Sequence, residues 1–237
     1  MTGLMRRAGA EFAGTAFLVM AVVGSGVMAS RLSPNDVGLQ LLQNSLATGA
    51  ALVALIVALQ PVSASFNPVV TLVERALGMI DTRAALALIA AQFLGGLAGT
   101  VLANLMFDVG PVTFSGHERT GAGLWLGEIV ATAGLLLVVF GTVRSGRADR
   151  VAFAVGGYIT AAYWFTSSTS FANPAVTLAR TITDTFAGIA PASAPGFILA
   201  QLLGGAAGFV LVRLLYPTLV PATATSAAEA ANRKVLS

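Results

Sequence analysis

The residues best suited to act on a solute are two asparagines, each followed directly by a proline. Asn67-Pro68 and Asn173-Pro174 both lie just after a Ser-Phe pair and just before a short apolar run. Asparagine is a favoured helix N-cap, and proline is a favoured first helical residue. Each pair therefore predicts a helix that begins in the middle of an apolar segment. Capping uses the asparagine side-chain oxygen, which leaves the NH2 group free to donate to a hydroxyl group or to water.

Other reactive groups are scarce. Cysteine is absent, and His117 is the sole histidine. The sequence has no HExxH motif, no Ser–His pairing and no carboxylate cluster, so it predicts no metal site, no cofactor and no enzyme active site. Two acidic residues, Glu11 and Glu128, fall within apolar segments. A carboxyl group at such a position needs a hydrogen-bond partner.

The composition places these groups in a membrane protein. Of 237 residues, 56% are hydrophobic and 10% are charged, and the mean hydropathy is +0.84. A soluble domain carries about 25% charged residues, so this chain is not a soluble globular enzyme. The net charge of +3 comes from basic residues spread along the chain. They form no cluster that predicts nucleic-acid binding.

Six apolar stretches are long enough to cross a bilayer, which takes about 20 residues. These stretches lie at residues 10–30, 39–60, 84–107, 122–143, 150–167 and 196–216. Two further helical segments, residues 67–77 and 173–183, begin at the Asn-Pro pairs and extend only about 16 Å at about 1.5 Å per residue. Each predicts a half-helix that follows a re-entrant loop, at residues 60–66 in one case and 166–172 in the other.

The basic residues predict the orientation, because cytoplasmic loops are enriched in arginine and lysine. With the N-terminus in the cytoplasm, three basic residues lie outside: Arg31, Arg119 and Arg180. Ten lie inside: Arg6, Arg7, Arg75, Arg83, Arg144, Arg147, Arg150, Arg213, Arg233 and Lys234. Both termini are therefore predicted to be cytoplasmic, with residues 217–237 as a disordered tail. A cleaved secretory signal is the alternative for the first stretch, and Glu11 within that stretch argues against it.

The two halves of the chain contain the same three motifs in the same order. The matching segments are 11–15 with 128–132, 65–72 with 170–178, and 92–99 with 201–208. Each half, residues 8–107 and 122–216, holds three predicted spans. An odd number of spans inverts the second half relative to the first, which predicts a pseudo-two-fold axis in the membrane plane. The repeated Gly-xxx-Gly pairs in the third motif are interpreted as helix packing.

This symmetry brings the N-termini of both half-helices together at the midplane. Non-helical backbone at that depth is tolerated where it lines a wet cavity, so the loop carbonyls are expected to line a path on either side. Both helix dipoles direct about half a positive charge at the meeting point. A neutral solute can pass there, whereas a cation meets a barrier. Two merely kinked helices are the alternative, but they leave the repetition unexplained.

The paired Asn-Pro half-helices, the six spans and the glutamate at the start of each repeat resemble the aquaporin (major intrinsic protein) family over residues 8–216. The resemblance implies an all-α membrane protein: a right-handed bundle of six transmembrane helices plus two re-entrant half-helices, with residues 1–216 as a single channel domain. It also implies a homotetramer with one pore per protomer. In this family the glutamates that match Glu11 and Glu128 hydrogen-bond to the re-entrant loops.

The sequence departs from its family at the first motif and in the filter. The motifs read Asn67-Pro68-Val69, with valine for alanine, and Asn173-Pro174-Ala175, while Ser63 and Ser65 replace a usual glycine and histidine. The family's arginine normally follows the second motif, at the position of Val176. Counting back along the chain assigns the other three filter positions to Ala47, Ala161 and Ser170, and the first two assignments could be off by one residue.

Such a filter is expected to be wide and nearly uncharged, within a pore without fixed charge. Arg180 either reaches the pore mouth or extends into extracellular water, and the sequence favours the second. A bacterial subgroup associated with arsenic detoxification also lacks the filter arginine. The resemblance therefore predicts a bacterial inner-membrane channel for water, glycerol and metalloid acids such as arsenous acid, whose partners are these solutes, the lipid bilayer and its own copies. A proton- or ion-coupled secondary transporter and a structural junction protein are the alternatives.

Overall fold

The computed structural model describes residues 3–217, and within these residues it contains helices, turns and loops but no strand. The first half comprises α1 (Gly3–Leu32), α2 (Val37–Leu59), α3 (Pro68–Ala76) and α4 (Thr82–Met106). The second half comprises α5 (Ala122–Arg144), α6 (Val151–Phe165), α7 (Pro174–Ala179) and α8 (Ala194–Leu215). The predicted tail lies outside the described residues from residue 218 onward.

Five of the helices, α1, α2, α4, α5 and α8, are long and apolar enough to cross a membrane. Helix α6 has only 15 residues and continues from a 3-10 turn at Ala148–Arg150. The two short helices, α3 and α7, begin at the proline of each Asn-Pro pair. The second ends earlier than predicted, because the chain leaves α7 at Ala179 and makes a 3-10 turn over Arg180–Ile182.

The distribution of polar and apolar side chains is inverted relative to a soluble protein. Large apolar side chains cover the outer surface, and Phe153 and Leu214 are 64% and 73% exposed. The polar side chains of Glu11, Glu128 and Gln92 are fully buried. An apolar exterior around a polar interior is what a surrounding of lipid requires, since hydrocarbon offers no hydrogen bonds.

Small residues let the long helices approach closely. A Cβ atom added to Gly95 of α4 would lie 2.3 Å from the Phe12 carbonyl oxygen, and one added to Gly99 would lie 2.3 Å from that of Ala16. In the second half, a Cβ on Gly204 of α8 would lie 2.5 Å from a carbonyl oxygen of α5. The interpretation of these glycines as packing residues therefore agrees with the structure.

Replacing Gly95 with alanine is expected to destabilise the bundle, because the added methyl group meets backbone that cannot move aside. We expect a loss of about 2–3 kcal/mol, read as a lower apparent Tm of the detergent-solubilised protein. Gly157→Ala is the matched control, since a Cβ at this exposed helical position contacts nothing within 4 Å. Equal melting temperatures for the two variants would contradict the packing assigned to Gly95.

Candidate functional site

A cavity of about 290 Å³ lies between the helices and includes both Asn-Pro asparagines in its lining. Its middle section is formed by Phe66, Asn67, Ala172 and Asn173. We call the two ends of the cavity the α3 end, lined by Arg7, Gln60, Ser65 and Glu74, and the α7 end, lined by Thr48, Tyr163, Ser170, Val176 and Arg180. The walls are apolar: Leu18, Val22, Leu52, Ile56, Leu135, Val139, Val155 and Ile159.

Each asparagine caps its own half-helix and also binds the opposite loop. Asn67 Oδ1 accepts a hydrogen bond of 3.0 Å from Val69 N, and Asn67 Nδ2 donates to the Ala172 carbonyl at 2.7 Å. Asn173 Oδ1 accepts from Ala175 N at 3.0 Å, and Asn173 Nδ2 donates to the Phe66 carbonyl at 2.7 Å. The capping agrees with the sequence interpretation, but the NH2 groups are only half free. Each keeps one N–H for a solute in the cavity.

The two loops adopt the same strained conformation beside the asparagines. Phe66 and Ala172, the residues that precede Asn67 and Asn173, have φ angles of 47° and 48°. Residues other than glycine seldom adopt positive φ, and such strain persists only where surrounding contacts impose it. This conformation directs each carbonyl to the asparagine of the other half. The two half-helices are thereby locked together at the centre of the cavity.

Buried glutamates hold the loops in this conformation. The carboxylate of Glu11 accepts hydrogen bonds from Ser63 Oγ, from Ser65 N at 2.9 Å and from Phe66 N at 2.7 Å. The carboxylate of Glu128 accepts from the backbone N–H groups of residues 171 and 172, both at 2.8 Å. Both carboxylates therefore satisfy backbone donors that would otherwise be unpaired at membrane depth.

Two buried glutamines, which the sequence motifs alone did not indicate as functional, complete these networks. Gln92 Nε2 donates to Glu11 at 2.8 Å and to Thr71 Oγ1 at 2.9 Å. Gln201 Nε2 donates to Glu128 and to Thr177 Oγ1 at 2.6 and 2.8 Å. The sequence did carry a signal for them, because glutamine is the first residue of the third repeated motif in both halves, at 92 and 201. That motif predicts helix packing only when its glycines alone are considered. Each glutamine ties a half-helix to the carboxylate that braces its loop.

The third residues of the two motifs point away from the cavity. A Cβ added to Gly205 of α8 would lie 2.5 Å from Val69 Cγ1, so Val69 packs against α8. A Cβ added to Gly96 of α4 would lie 3.2 Å from the Ala175 carbonyl oxygen, so Ala175 occupies the equivalent position against α4. Pro68 and Pro174 are also buried in their first helical turns. The valine of the first motif therefore changes helix packing and not the width of the cavity.

The four predicted filter residues differ in where they lie relative to the cavity. Ser170 and Val176 line the α7 end, but Ala47 and Ala161 do not. Ala161 is exposed on the outer surface. It precedes the cavity-lining Tyr163 by two residues, and two steps along a helix turn a side chain by about 200°, to the opposite side. Thr48 and Tyr163, which lie close to them in the sequence, do line the α7 end, and their hydroxyl oxygens lie 3.2 Å apart in a hydrogen bond.

Arg180 also lines the α7 end, which corrects the prediction that it extends into water. Only 3% of its surface is exposed, its Nε donates to the Ala187 carbonyl, and its guanidinium carbon lies 3.4 Å from the centre of the Phe171 ring. The expectation of a pore without fixed charge is wrong, since Arg180 lies at one end. At the other end lie Arg7 and Glu74. The sequence signal that indicates this place for Arg180 is its position four residues, or about one helical turn, after Val176.

These features define a class of protein. Two half-helices meet end to end inside a bundle of apolar helices, and their capping asparagines face one cavity with polar groups at both ends. Among residues 3–217, no group of three or more His, Cys, Asp or Glu side chains could hold a metal ion. Such an arrangement is that of a membrane channel with an inverted repeat.

Comparison with known proteins identifies the family. The model of the major intrinsic protein family matches residues 2–159 and 147–236, and the chain belongs to this family. It is 51% identical to the aquaglyceroporin AqpS of Rhizobium meliloti (strain 1021) over 213 residues, which are 90% of this chain and 91% of the relative. It is 33% identical to the lens fiber major intrinsic protein of Oryctolagus cuniculus over 168 residues, 66% of this chain and 61% of that protein.

A solved structure supports the same fold. The X-ray structure of the aquaglyceroporin from Plasmodium falciparum matches with a TM-score of 0.65 at 19% identity, covering 92% of this chain and 97% of that one. The predictions of an aquaporin-like helical fold, a multi-pass membrane protein and a channel that is not an enzyme are thereby confirmed.

Proposed function

We propose that the protein is a passive channel for water and small uncharged solutes such as glycerol, and that undissociated metalloid acids such as arsenous acid also pass. One observation carries the proposal: Asn67 and Asn173 face the same cavity, and each keeps one N–H that no described residue accepts. A hydroxyl group or a water molecule can accept from both in turn as it passes. The apolar walls provide no competing partners, so the two asparagines are the groups that a solute oxygen meets at the centre of the cavity.

The choice of solutes rests on the α7 end. Val176 takes the place of the arginine that usually follows the second motif, and Ser170 and Thr48 add small side chains. These three side chains are small, and we propose that they leave room for molecules larger than water beside Tyr163 and Arg180, which line the same end. The name of the relative AqpS, an aquaglyceroporin, supports the same choice. Arsenous acid resembles glycerol in carrying three hydroxyl groups around a small centre, and it is uncharged at neutral pH.

For the cellular setting, we propose a bacterial inner membrane with both termini in the cytoplasm. The basic residues concentrate on the side of the bundle where α1 begins and where α2, α5 and α8 end. We further propose a homotetramer in which each protomer, residues 1–216, forms its own pore. Cross-linking in native membranes tests the number of copies, and accessibility of a C-terminal tag to protease in sealed vesicles tests the orientation.

A proton- or ion-coupled transporter is the alternative function, and the buried carboxylates argue against it. Glu11 and Glu128 each accept at least three hydrogen bonds in fixed loops, so neither is placed to exchange a proton with a solute. Uptake of labelled glycerol into proteoliposomes under an imposed pH or sodium gradient separates the two functions. A channel brings internal glycerol to the external concentration and no further. Accumulation above that concentration would establish coupling.

Val176→Arg is expected to restrict the range of solutes. The long side chain would occupy the α7 end, so glycerol and arsenous acid permeation should fall at least tenfold while water permeation falls much less. Stopped-flow light scattering on proteoliposomes measures all three. Val176→Leu is the control for bulk without charge and hydrogen bonds. Glycerol and arsenous acid rates equal to those of the wild type in the arginine variant would contradict the proposed position of the filter.

A further inference from the structure

We propose that Arg180 is the selectivity-determining cation of this channel, acting from one helical turn beyond the position where the family keeps its filter arginine. This inference rests on the proposed function, since it concerns which solutes and ions the same cavity admits. The family position is occupied by Val176, whose side chain is apolar. Arg180 nevertheless brings a guanidinium group to the lining of the same end of the cavity.

Hydrogen bonds hold the backbone around Arg180 at the end of α7. The helix stops at Ala179, whose carbonyl accepts a hydrogen bond of 2.9 Å from Thr100 Oγ1 of α4. Arg180 still has α-region backbone angles, with φ −74° and ψ −6°, so its side chain leaves the backbone on the same side as that of Val176, one turn earlier. The Arg180 carbonyl in turn accepts from Ile189 N at 3.2 Å. The backbone of this residue is therefore fixed on both sides.

The side chain is fixed as firmly as the backbone. The guanidinium stacks on the Phe171 ring at 3.4 Å, and its Nε donates to the Ala187 carbonyl. The ring itself packs edge-on against Phe197 at 5.2 Å, and Phe171 N is bonded to Glu128. A cation held over an aromatic face and by a backbone acceptor keeps one orientation without a carboxylate partner. The carboxylate that braces the loop thus also holds the backbone of the residue whose ring Arg180 stacks on.

The charge of Arg180 is not neutralised within the described part of the chain. No Asp or Glu oxygen there lies within 4.0 Å of its guanidinium nitrogens, and the residue is almost completely buried. Beside it, Ser170 Oγ is 3% exposed and has no hydrogen-bond partner among the described residues. A buried hydroxyl without a partner usually marks a place where a water or solute binds. The α7 end therefore offers donors to the oxygen of a neutral solute.

A fixed positive charge in a low-dielectric constriction repels cations over several ångströms. Arg180 would thus add a second barrier to the one formed by the half-helix dipoles at the centre. Its guanidinium and Ser170 Oγ would also orient solutes that carry hydroxyl groups. The solute class that fits is a small neutral molecule with several oxygen atoms. One of its oxygens can accept a hydrogen bond from Arg180 while a second oxygen forms a hydrogen bond with Ser170 Oγ.

The test compares sodium and proton leak with water permeability in the same proteoliposomes. Arg180→Gln keeps hydrogen-bond donors but removes the charge, and is expected to raise cation leak about tenfold or more. Arg31→Gln is the matched control, because Arg31 also stacks on an aromatic ring, Phe107 at 5.3 Å, yet is absent from the cavity lining. Arg180→Lys, which retains the charge, is expected to leak at least fivefold less than Arg180→Gln.

A double variant carries the test further. Val176→Arg combined with Arg180→Gln returns the cation to the family's position and is expected to bring leak back toward the wild-type value. Leak that rises equally in the Arg180→Gln and Arg31→Gln proteins, or stays at the wild-type level in both while water still flows, would overturn the role of Arg180. Absence of water and glycerol flux through the wild-type protein would instead overturn the proposed function. The two failures are therefore distinguishable.

Discussion

Asn173→Asp is expected to convert the channel into a leak for cations. The carboxylate keeps the capping oxygen that accepts from Ala175 N but loses the N–H that binds the Phe66 carbonyl. It also places a negative charge at the centre of the cavity, where the two half-helix dipoles of the wild-type protein are expected to exclude cations. We expect sodium leak to rise at least tenfold and water permeability to fall, because an oxygen now faces the Phe66 carbonyl. Both are measured in proteoliposomes.

Asn44→Asp provides the matched control for this prediction. Asn44 is also buried and also donates to a backbone carbonyl, that of Val22 at 2.9 Å, but it lies between α1 and α2 and does not line the cavity. The same charge at this position is expected to lower stability without raising the leak. A leak of similar size in both variants would mean that the effect comes from damage to the bundle and not from the position of Asn173.

Glu128→Ala is expected to abolish channel activity by releasing the second re-entrant loop. The substitution leaves Phe171 N, Ala172 N and Gln201 Nε2 without their acceptor. Each buried donor without a partner costs about 1–3 kcal/mol, so the free energy of unfolding should fall by several kcal/mol. Ala172 can then leave its positive φ, and its carbonyl loses its place beside Asn67. Water permeability is expected to fall at least tenfold, together with a lower melting temperature.

Two further variants separate bracing from proton transfer. Glu128→Gln retains one acceptor oxygen but turns an NH2 group toward backbone donors, so it should cost less stability than alanine and still impair flux. Glu118→Ala removes a carboxylate from an exposed loop position and should change neither measurement. Normal water and glycerol permeability in Glu128→Ala would contradict the bracing role. If Glu128→Gln lost only the uptake that a proton gradient drives, and kept the flux measured without a gradient, the result would instead indicate coupling.

The half-helices were predictable because their signals are local. Proline at the first helical position and asparagine at the N-cap determine where α3 and α7 begin, whatever the rest of the chain does. The length of the apolar stretches predicted the long helices in the same way. The reciprocal bonds were less accessible, since the bond from Asn67 to the Ala172 carbonyl spans 105 residues. The repeat predicted that the two asparagines meet, but not that each would bind the opposite loop.

The filter positions could not be counted reliably along the chain. Thr169, Ser170 and Ala172 all have positive φ, so the second loop does not advance by a regular rise per residue. Counting back from Asn173 through that loop therefore reached Ala161, although Tyr163 is the residue that lines the cavity. A miscount of two residues on a helix moves a side chain to the opposite face.

Arg180 shows a different limit of the sequence. An arginine just beyond a half-helix, near a predicted membrane boundary, ordinarily extends into water. Its burial depends on the ring of Phe171 and the carbonyl of Ala187, which only the folded chain brings to it. The low charge of the chain was correctly interpreted as membrane character. The few charges inside the bundle nevertheless include one at the α7 end of the cavity.

The central claim, a passive pore centred on two asparagines, is tested most directly by parallel permeability measurements. Water, glycerol and arsenous acid fluxes are recorded by stopped-flow methods in proteoliposomes, with protein-free liposomes and Asn173→Asp as references. We expect the wild-type protein to raise all three fluxes well above protein-free liposomes, in proportion to the solute gradient and without saturation. Fluxes equal to those of protein-free liposomes, or a glycerol flux that saturates and requires an ion gradient, would contradict the account.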